Sequence, residues 1–96
     1  MIIQTPYKAT DAVTLKLTSS EEIIARFVEE DADTITVTKP MALMMGQSGP
    51  GLGPFTFTVS PDAKLKLNKS AVLFVHKSDE EMGKQYIEST SGISMV

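Results

Sequence analysis

The sequence predicts a mainly β fold, a small five-stranded and strongly bent antiparallel barrel with a short C-terminal helix. Three observations lead there. Apolar residues alternate with threonine or lysine in segment after segment, as in Val13-Thr14-Leu15-Lys16-Leu17 and Phe55-Thr56-Phe57-Thr58-Val59, which is the period of a strand with one wet face. The links between these segments are short and polar, leaving no room for the crossover helices of a parallel sheet. Finally, 96 residues are the size of one domain, whose core is modest enough that the strands must curl to bury their apolar faces.

In chain order, residues 1–11 read as an extended arm, because Pro6 interrupts them and no helical period is present; Ile2, Ile3 and Tyr7 are its packing residues. The barrel is expected over 12–77. Val13 to Leu17 is the first strand and Ser19-Ser20-Glu21 its turn. Glu22 to Glu29 carries Ile23, Ile24, Ala25, Phe27 and Val28 and reads as the second strand, being β-rich and lying between two others. Glu30-Asp31-Ala32-Asp33 is a turn, since clustered aspartates favour local side-chain bonds to backbone.

Thr34 to Thr38 is the third strand, with Ile35 and Val37 on one face and threonines on the other. Pro40 ends regular pairing or marks an edge; Met41-Ala42-Leu43-Met44-Met45 then resumes the strand, with flexible methionines suited to irregular gaps in a core or interface. Gly46 to Pro54 holds four glycines and two prolines and reads as a loop. A fourth strand starts at Phe55, breaks at Pro61-Asp62 and continues through Leu65 and Leu67. The polar joint Asn68-Lys69-Ser70 separates it from a fifth strand over Ala71 to Val75.

Ser78 and Glu81 have the spacing of a capping box, Asp79 and Glu80 suit the positive end of a helix dipole, and Met82, Tyr86 and Ile87 form a thin apolar stripe. The helix is expected over 78–90, Ser91-Gly92 stops it, and 91–96 is a loose tail.

Composition narrows the chemistry. There is no cysteine and a single histidine, His76, so neither a disulfide framework nor a thiolate metal site is available, and no cofactor or metal is expected. Gly46-Gln47-Ser48-Gly49-Pro50 falls short of a nucleophile elbow because Pro50 stands where the last glycine is required. The same loop lacks the Lys-Ser/Thr pair of a phosphate-binding loop. His76 has no second histidine or cysteine to relay to, and Glu29, Glu30, Asp31 and Asp33 lack the glycine and terminal glutamate of a calcium loop. No catalytic residue is assigned and an enzyme is not expected. No stretch approaches the roughly 18 apolar residues of a membrane helix, and a soluble cytoplasmic protein without membrane contact is the expectation. The net charge of −3 is unevenly spread. Between residues 21 and 33, Glu21, Glu22, Glu29, Glu30, Asp31 and Asp33 face a lone Arg26, whereas Lys64, Lys66, Lys69 and Lys77 follow later.

From Val13 to Lys77 the order of strands and turns resembles the Sm-like family, the small barrels of Sm, LSm and Hfq proteins that assemble into rings. Val13 to Leu17 with the Ser19-Ser20 turn looks like the family's first strand, and Asp31 falls on the aspartate of its first motif. Leu67-Asn68-Lys69-Ser70-Ala71-Val72 is similar to the Tyr-Lys-His motif of the Hfq branch, with Lys69 keeping the lysine. This chain departs from the pattern at four positions: Ala25 replaces a glycine, Asn68 a tyrosine, Ser70 a histidine, and Asp33 stands near the place where the family offers a side chain to stack on a base, a contact worth about 1–3 kcal/mol. The helix also follows the barrel instead of preceding it.

The resemblance implies a homo-oligomeric ring joined by pairing of the fourth strand with the neighbour's fifth, through Phe55, Phe57, Leu65, Leu67, Val72 and Phe74. It also implies single-stranded RNA at the central rim, on Asn68, Lys69 and Ser70 with Asp33 and Thr34. The alternative is a scaffolding ring that has lost the RNA site and binds protein through Met41, Leu43, Met44, Met45 and the glycine loop.

Overall fold

Six strands form one antiparallel sheet, and a single α-helix follows them. The computed structural model describes residues 7–90; the arm residues Ile2 and Ile3 and the tail 91–96 lie outside them. The elements are β1 (Ala12–Leu17), β2 (Glu22–Glu30), β3 (Thr34–Gly46), β4 (Gly49–Pro54), β5 (Leu65–Asn68), a 3₁₀ turn (Lys69–Ala71), β6 (Val72–Lys77) and α1 (Glu80–Thr90). The sheet runs β4-β3-β2-β1-β6, with β5 also paired to β3. Hydrogen bonding leaves it open, with β6 at one edge and β4 and β5 sharing the other.

Alternation in β1 and β2 sends side chains to two different places. Val13, Leu15 and Leu17 join Ile23, Ala25, Phe27, Ile35 and Val37 in the main core, and Leu65, Leu67, Val72 and Val75 from the last two strands pack against it. Burial of each such aliphatic side chain contributes about 1.5–3 kcal/mol. The opposite face would be wet without α1. There Ala12 and Ile24 pack with Tyr86 of the helix, flanked by Met41, Leu52 and Met82. Tyr86 is fully buried, and its hydroxyl donates to the Lys39 carbonyl at 2.5 Å. Burial pushes the Tyr86 phenol up to about 12, against the opposite pull of the neighbouring Arg26 charge.

The glycine-rich segment that reads as a loop is in fact strand β4. Gly46 pairs with Gly49 across Gln47-Ser48, and Gly49 takes φ +116°, a conformation that side-chain-bearing residues rarely adopt. A Gly-Pro strand is tolerated because β4 lies at an edge, where the missing proline N–H groups face no partner. A Cβ at Gly53 would meet only the flexible end of the exposed Met44 side chain, 2.6 Å from its Cε. The expected continuation of the third strand through Met41–Met45 is present as the second half of β3.

The alternating Phe55–Val59 segment is not a strand. Strand β3 is already paired with β5 over Thr34–Val37 and with β4 over Met41–Gly46, so no ladder position remains for it. Residues 55–64 form a loop that returns to β3, where the Lys39 N–H donates to the Pro61 carbonyl at 2.8 Å and the Lys39 ammonium pairs with Asp62. Phe55 packs against the core, while Phe57 is 84% exposed.

Ala25 is buried inside the second strand, so the bend there does not come from a glycine. The β2–β3 register shifts twice, between Ile24 and Arg26 and between Phe27 and Glu29, and such bulges increase bend and twist. The resulting curl is strong. The 3₁₀ turn is bonded at both of its ends: Lys69 N–H to the Asp33 carbonyl, 2.8 Å, and Thr18 N–H to the Ala71 carbonyl, 2.9 Å. Asp33 and Thr18 lie beyond opposite ends of the nine-residue β2, which would hold them about 30 Å apart if it were straight. A three-residue 3₁₀ turn spans about 6 Å, so the sheet must fold over to be bridged by it.

The helix begins two residues later than expected. Asp79, not Ser78, is its cap: the Asp79 Oδ1 accepts the Met82 N–H at 2.8 Å. The Ser78 hydroxyl lies 2.8 Å from the Thr14 hydroxyl instead, and the Ser78 N–H donates to the Ala12 carbonyl, tying the helix start to β1. Asp79→Ala is expected to cost about 0.5–2 kcal/mol as a lost cap, and Glu81→Ala less than about 0.5 kcal/mol as a surface change. Urea unfolding followed by circular dichroism checks both, and a larger loss at Glu81 would restore the capping box.

Candidate nucleic-acid interface

Two turns separated by more than thirty residues form one surface. Thr34 faces Asn68 in the β3–β5 ladder, and the Lys69 N–H is held by the Asp33 carbonyl. Asp33, Thr34, Asn68, Lys69 and Ser70, the five residues assigned to a rim by resemblance, therefore lie together. Asn68 and Ser70 are exposed and Lys69 is half-buried.

The local geometry of the acidic turn is set by Asp31. Its Oδ1 accepts the N–H groups of Asp33 and Thr34, each at 2.8 Å, and the Thr34 hydroxyl at 3.2 Å. These bonds hold the Asp31 carboxyl below its usual range, with a smaller contribution from the positive Lys66. Asp31 is thus spent on the turn and does not point to a cation site.

Lys69 does not meet Asp33 through its side chain. Its ammonium pairs with Glu30, Nζ to Oε1 at 3.0 Å, and the other Glu30 oxygen accepts the Tyr7 hydroxyl at 3.2 Å. The Tyr7 ring packs edge-on against Phe27, with centroids 4.7 Å apart. Burial, then the Glu30 charge, raises the Tyr7 phenol above its ordinary value. Tyr7 and Glu30 are thus members of the site that sequence reasoning missed. Glu30 was visible only as one acid in a run, and the register that brings it to Lys69 is set by strands β3 and β5. The acidic 29–33 segment and the lysine-bearing 64–69 segment meet here through the Lys69–Glu30 pair.

The six residues expected at an oligomer interface fall into two groups. Phe55, Leu65, Leu67 and Val72 are half-buried against the chain's own core. Phe57 and Phe74 are exposed, the latter on edge strand β6 beside Leu73, which is 63% exposed. In the methionine segment Met41 is half-buried by α1, whereas Met44 and Met45 are exposed toward the hairpin end.

His76 is exposed, with its Nδ1 donating to the Lys77 carbonyl at 2.8 Å. An open apolar groove of about 560 Å³ lies elsewhere, between the 55–62 loop and the end of α1, and includes Pro40, Met41, Phe57 and Val59. Among the described residues no helix is long and apolar enough to cross a membrane.

Because the folded Asp31 carboxyl sits below its ordinary value of 3.8, the unfolded chain takes up that proton first as pH falls. The stabilisation from Asp31 is fully present above the unfolded value and is lost as pH drops through the lowered folded one. The urea midpoint of the native protein is expected to fall across this acid window, and part of that fall should disappear in Asp31→Asn. An identical acid profile in the variant would remove Asp31 from the account.

No family model matches the chain, and no curated protein matches it.

Proposed function

We propose that this chain is a ring-forming Sm-like protein, a strongly bent small barrel whose central rim takes single-stranded RNA on Asn68, Lys69 and Ser70 beside Asp33 and Thr34. One observation carries the reading: the 3₁₀ turn between β5 and β6 is bonded to both the Asp33 and the Thr18 turns. That contact supports a sheet curled toward a barrel and gathers the rim residues into one patch. The return of β6 to β1 further supports the strand order of the resemblance.

Assembly is supported by the sheet edges. Strand β5 bonds only to β3 and β6 only to β1 among the described residues, so each has an unpaired side. Free edges of this kind invite pairing with another chain, and β6 carries exposed Leu73 and Phe74. Pairing β5 of one copy with β6 of the next is head to tail, and such contacts close into a ring when the rotation permits.

The scaffolding alternative is favoured by a different observation. Met45 is 77% exposed and Met44 47%, on a hairpin whose outer strand holds Pro50 and Pro54 and is therefore poorly suited to further strand pairing. Adaptable methionine surfaces suit protein partners.

Two measurements test the main reading. Light scattering should give a multiple of the single-chain mass, and Phe74→Asp should reduce it to one chain; a native monomer would sink both the RNA and the scaffold versions. In fluorescence anisotropy, single-stranded RNA should bind in a salt-dependent manner, with Lys69→Gln weakening it at least severalfold. Binding indifferent to Lys69 but lost in Met44→Asp would favour the hairpin as the contact surface.

A further inference from the structure

The cation expected to hold phosphate is already occupied from within the chain. Glu30 gives one oxygen to the Lys69 ammonium at 3.0 Å and the other to the Tyr7 hydroxyl at 3.2 Å. A carboxylate offers the same features that a phosphate would present to this lysine, a negative charge and oxygen acceptors at hydrogen-bond distance. The pair is within reach of solvent, with side-chain exposures of 39% for Lys69 and 24% for Glu30, so it can exchange partners.

We propose that Glu30 is an internal competitor for Lys69 and thereby sets a minimum length for the nucleic acid this protein accepts, an inference that rests on the RNA reading above. A phosphate arriving at Lys69 replaces an existing ion pair instead of creating one. The displaced Glu30 carboxylate remains nearby and repels it, as do the exposed Asp31 and Asp33 of the adjoining turn. A mononucleotide therefore gains little at any single subunit.

A continuous strand differs because its second and later phosphates are already tethered. They meet neighbouring subunits at an effective concentration of order millimolar for a short flexible connection. Small gains then accumulate around a ring, and only ligands that span several subunits bind. Tyr7 is the positioning residue of this device, since its hydroxyl anchors Glu30 and its ring is fixed against Phe27.

The experiment is anisotropy of end-labelled RNA oligomers of short, intermediate and long length, against the native ring and Glu30→Gln, Glu29→Gln and Glu30→Gln/Lys69→Gln variants. Light scattering confirms the same assembly in each. Glu30→Gln is expected to strengthen binding by up to about fivefold per engaged subunit, so that short oligomers begin to bind. Glu29→Gln makes the same change of charge one residue away and should have less effect, and the double variant should lose the gain.

Equal gains in Glu29→Gln and Glu30→Gln, or a gain that persists without Lys69, would overturn the competitor role and leave the RNA reading intact. If the native protein binds no RNA of any length, the RNA reading fails. The competitor is then judged by inorganic tripolyphosphate, titrated while the Lys69 side-chain ammonium is observed by NMR. A response in Glu30→Gln that the native protein lacks supports it, and no response in either removes it.

Discussion

The bend of β3 at Lys39-Pro40 is the constraint on which the rest of the structure depends. Lys39 takes φ +52°, a left-handed conformation that costs a side-chain-bearing residue about 1–2 kcal/mol. Each of its polar groups is used to hold that shape: the N–H on the Pro61 carbonyl, the carbonyl on the Tyr86 hydroxyl, and the ammonium on Asp62. Before the bend β3 pairs with β5, and after it with β4. One strand thus serves both the curled core and the hairpin, and the helix is locked to the point where they part.

That division explains why two hydrophobic clusters coexist in so small a chain. Inward residues of β1, β2 and β3 meet β5 and β6 around the main core, while the outward Ala12 and Ile24 would be left wet without Tyr86. The β3–β5 pairing that covers one side of the main core also brings the Asp33 turn to Lys69. Fold and candidate site consequently share a cause. The acidic turn and the basic joint are not independent surfaces: Lys69 pairs with Glu30, and the charge of Lys66 acts on Asp31.

The strands with clean alternation, Val13–Leu17 and Thr34–Thr38, were legible because period two leaves no other way to bury their apolar residues. The same rule misled at Phe55–Val59, whose alternation finds no free ladder position on β3, and local composition misled at Gly49–Pro54, where backbone pairing with Met41–Gly46 builds a strand from residues of poor strand propensity. The helix was legible from its stripe and acidic start. Its cap was shifted because Ser78 is engaged by Thr14 of β1, a contact sixty-four residues away in sequence. Of the candidate site, Lys69 and the Asp33 turn could be named in advance; Glu30 and Tyr7 could not, since neither carries a local signal.

By itself the sequence determined the antiparallel β character, the polar turns at Ser19-Ser20 and Asp31–Asp33, the polar joint at Asn68–Ser70 and the terminal helix, because periodicity and turn chemistry act over a few residues. Tertiary structure alone decided which strand supplies each partner of β3, where the chain bends, and which acid meets Lys69. Those outcomes depend on competition for ladder positions and on register between distant segments, and no local pattern encodes either.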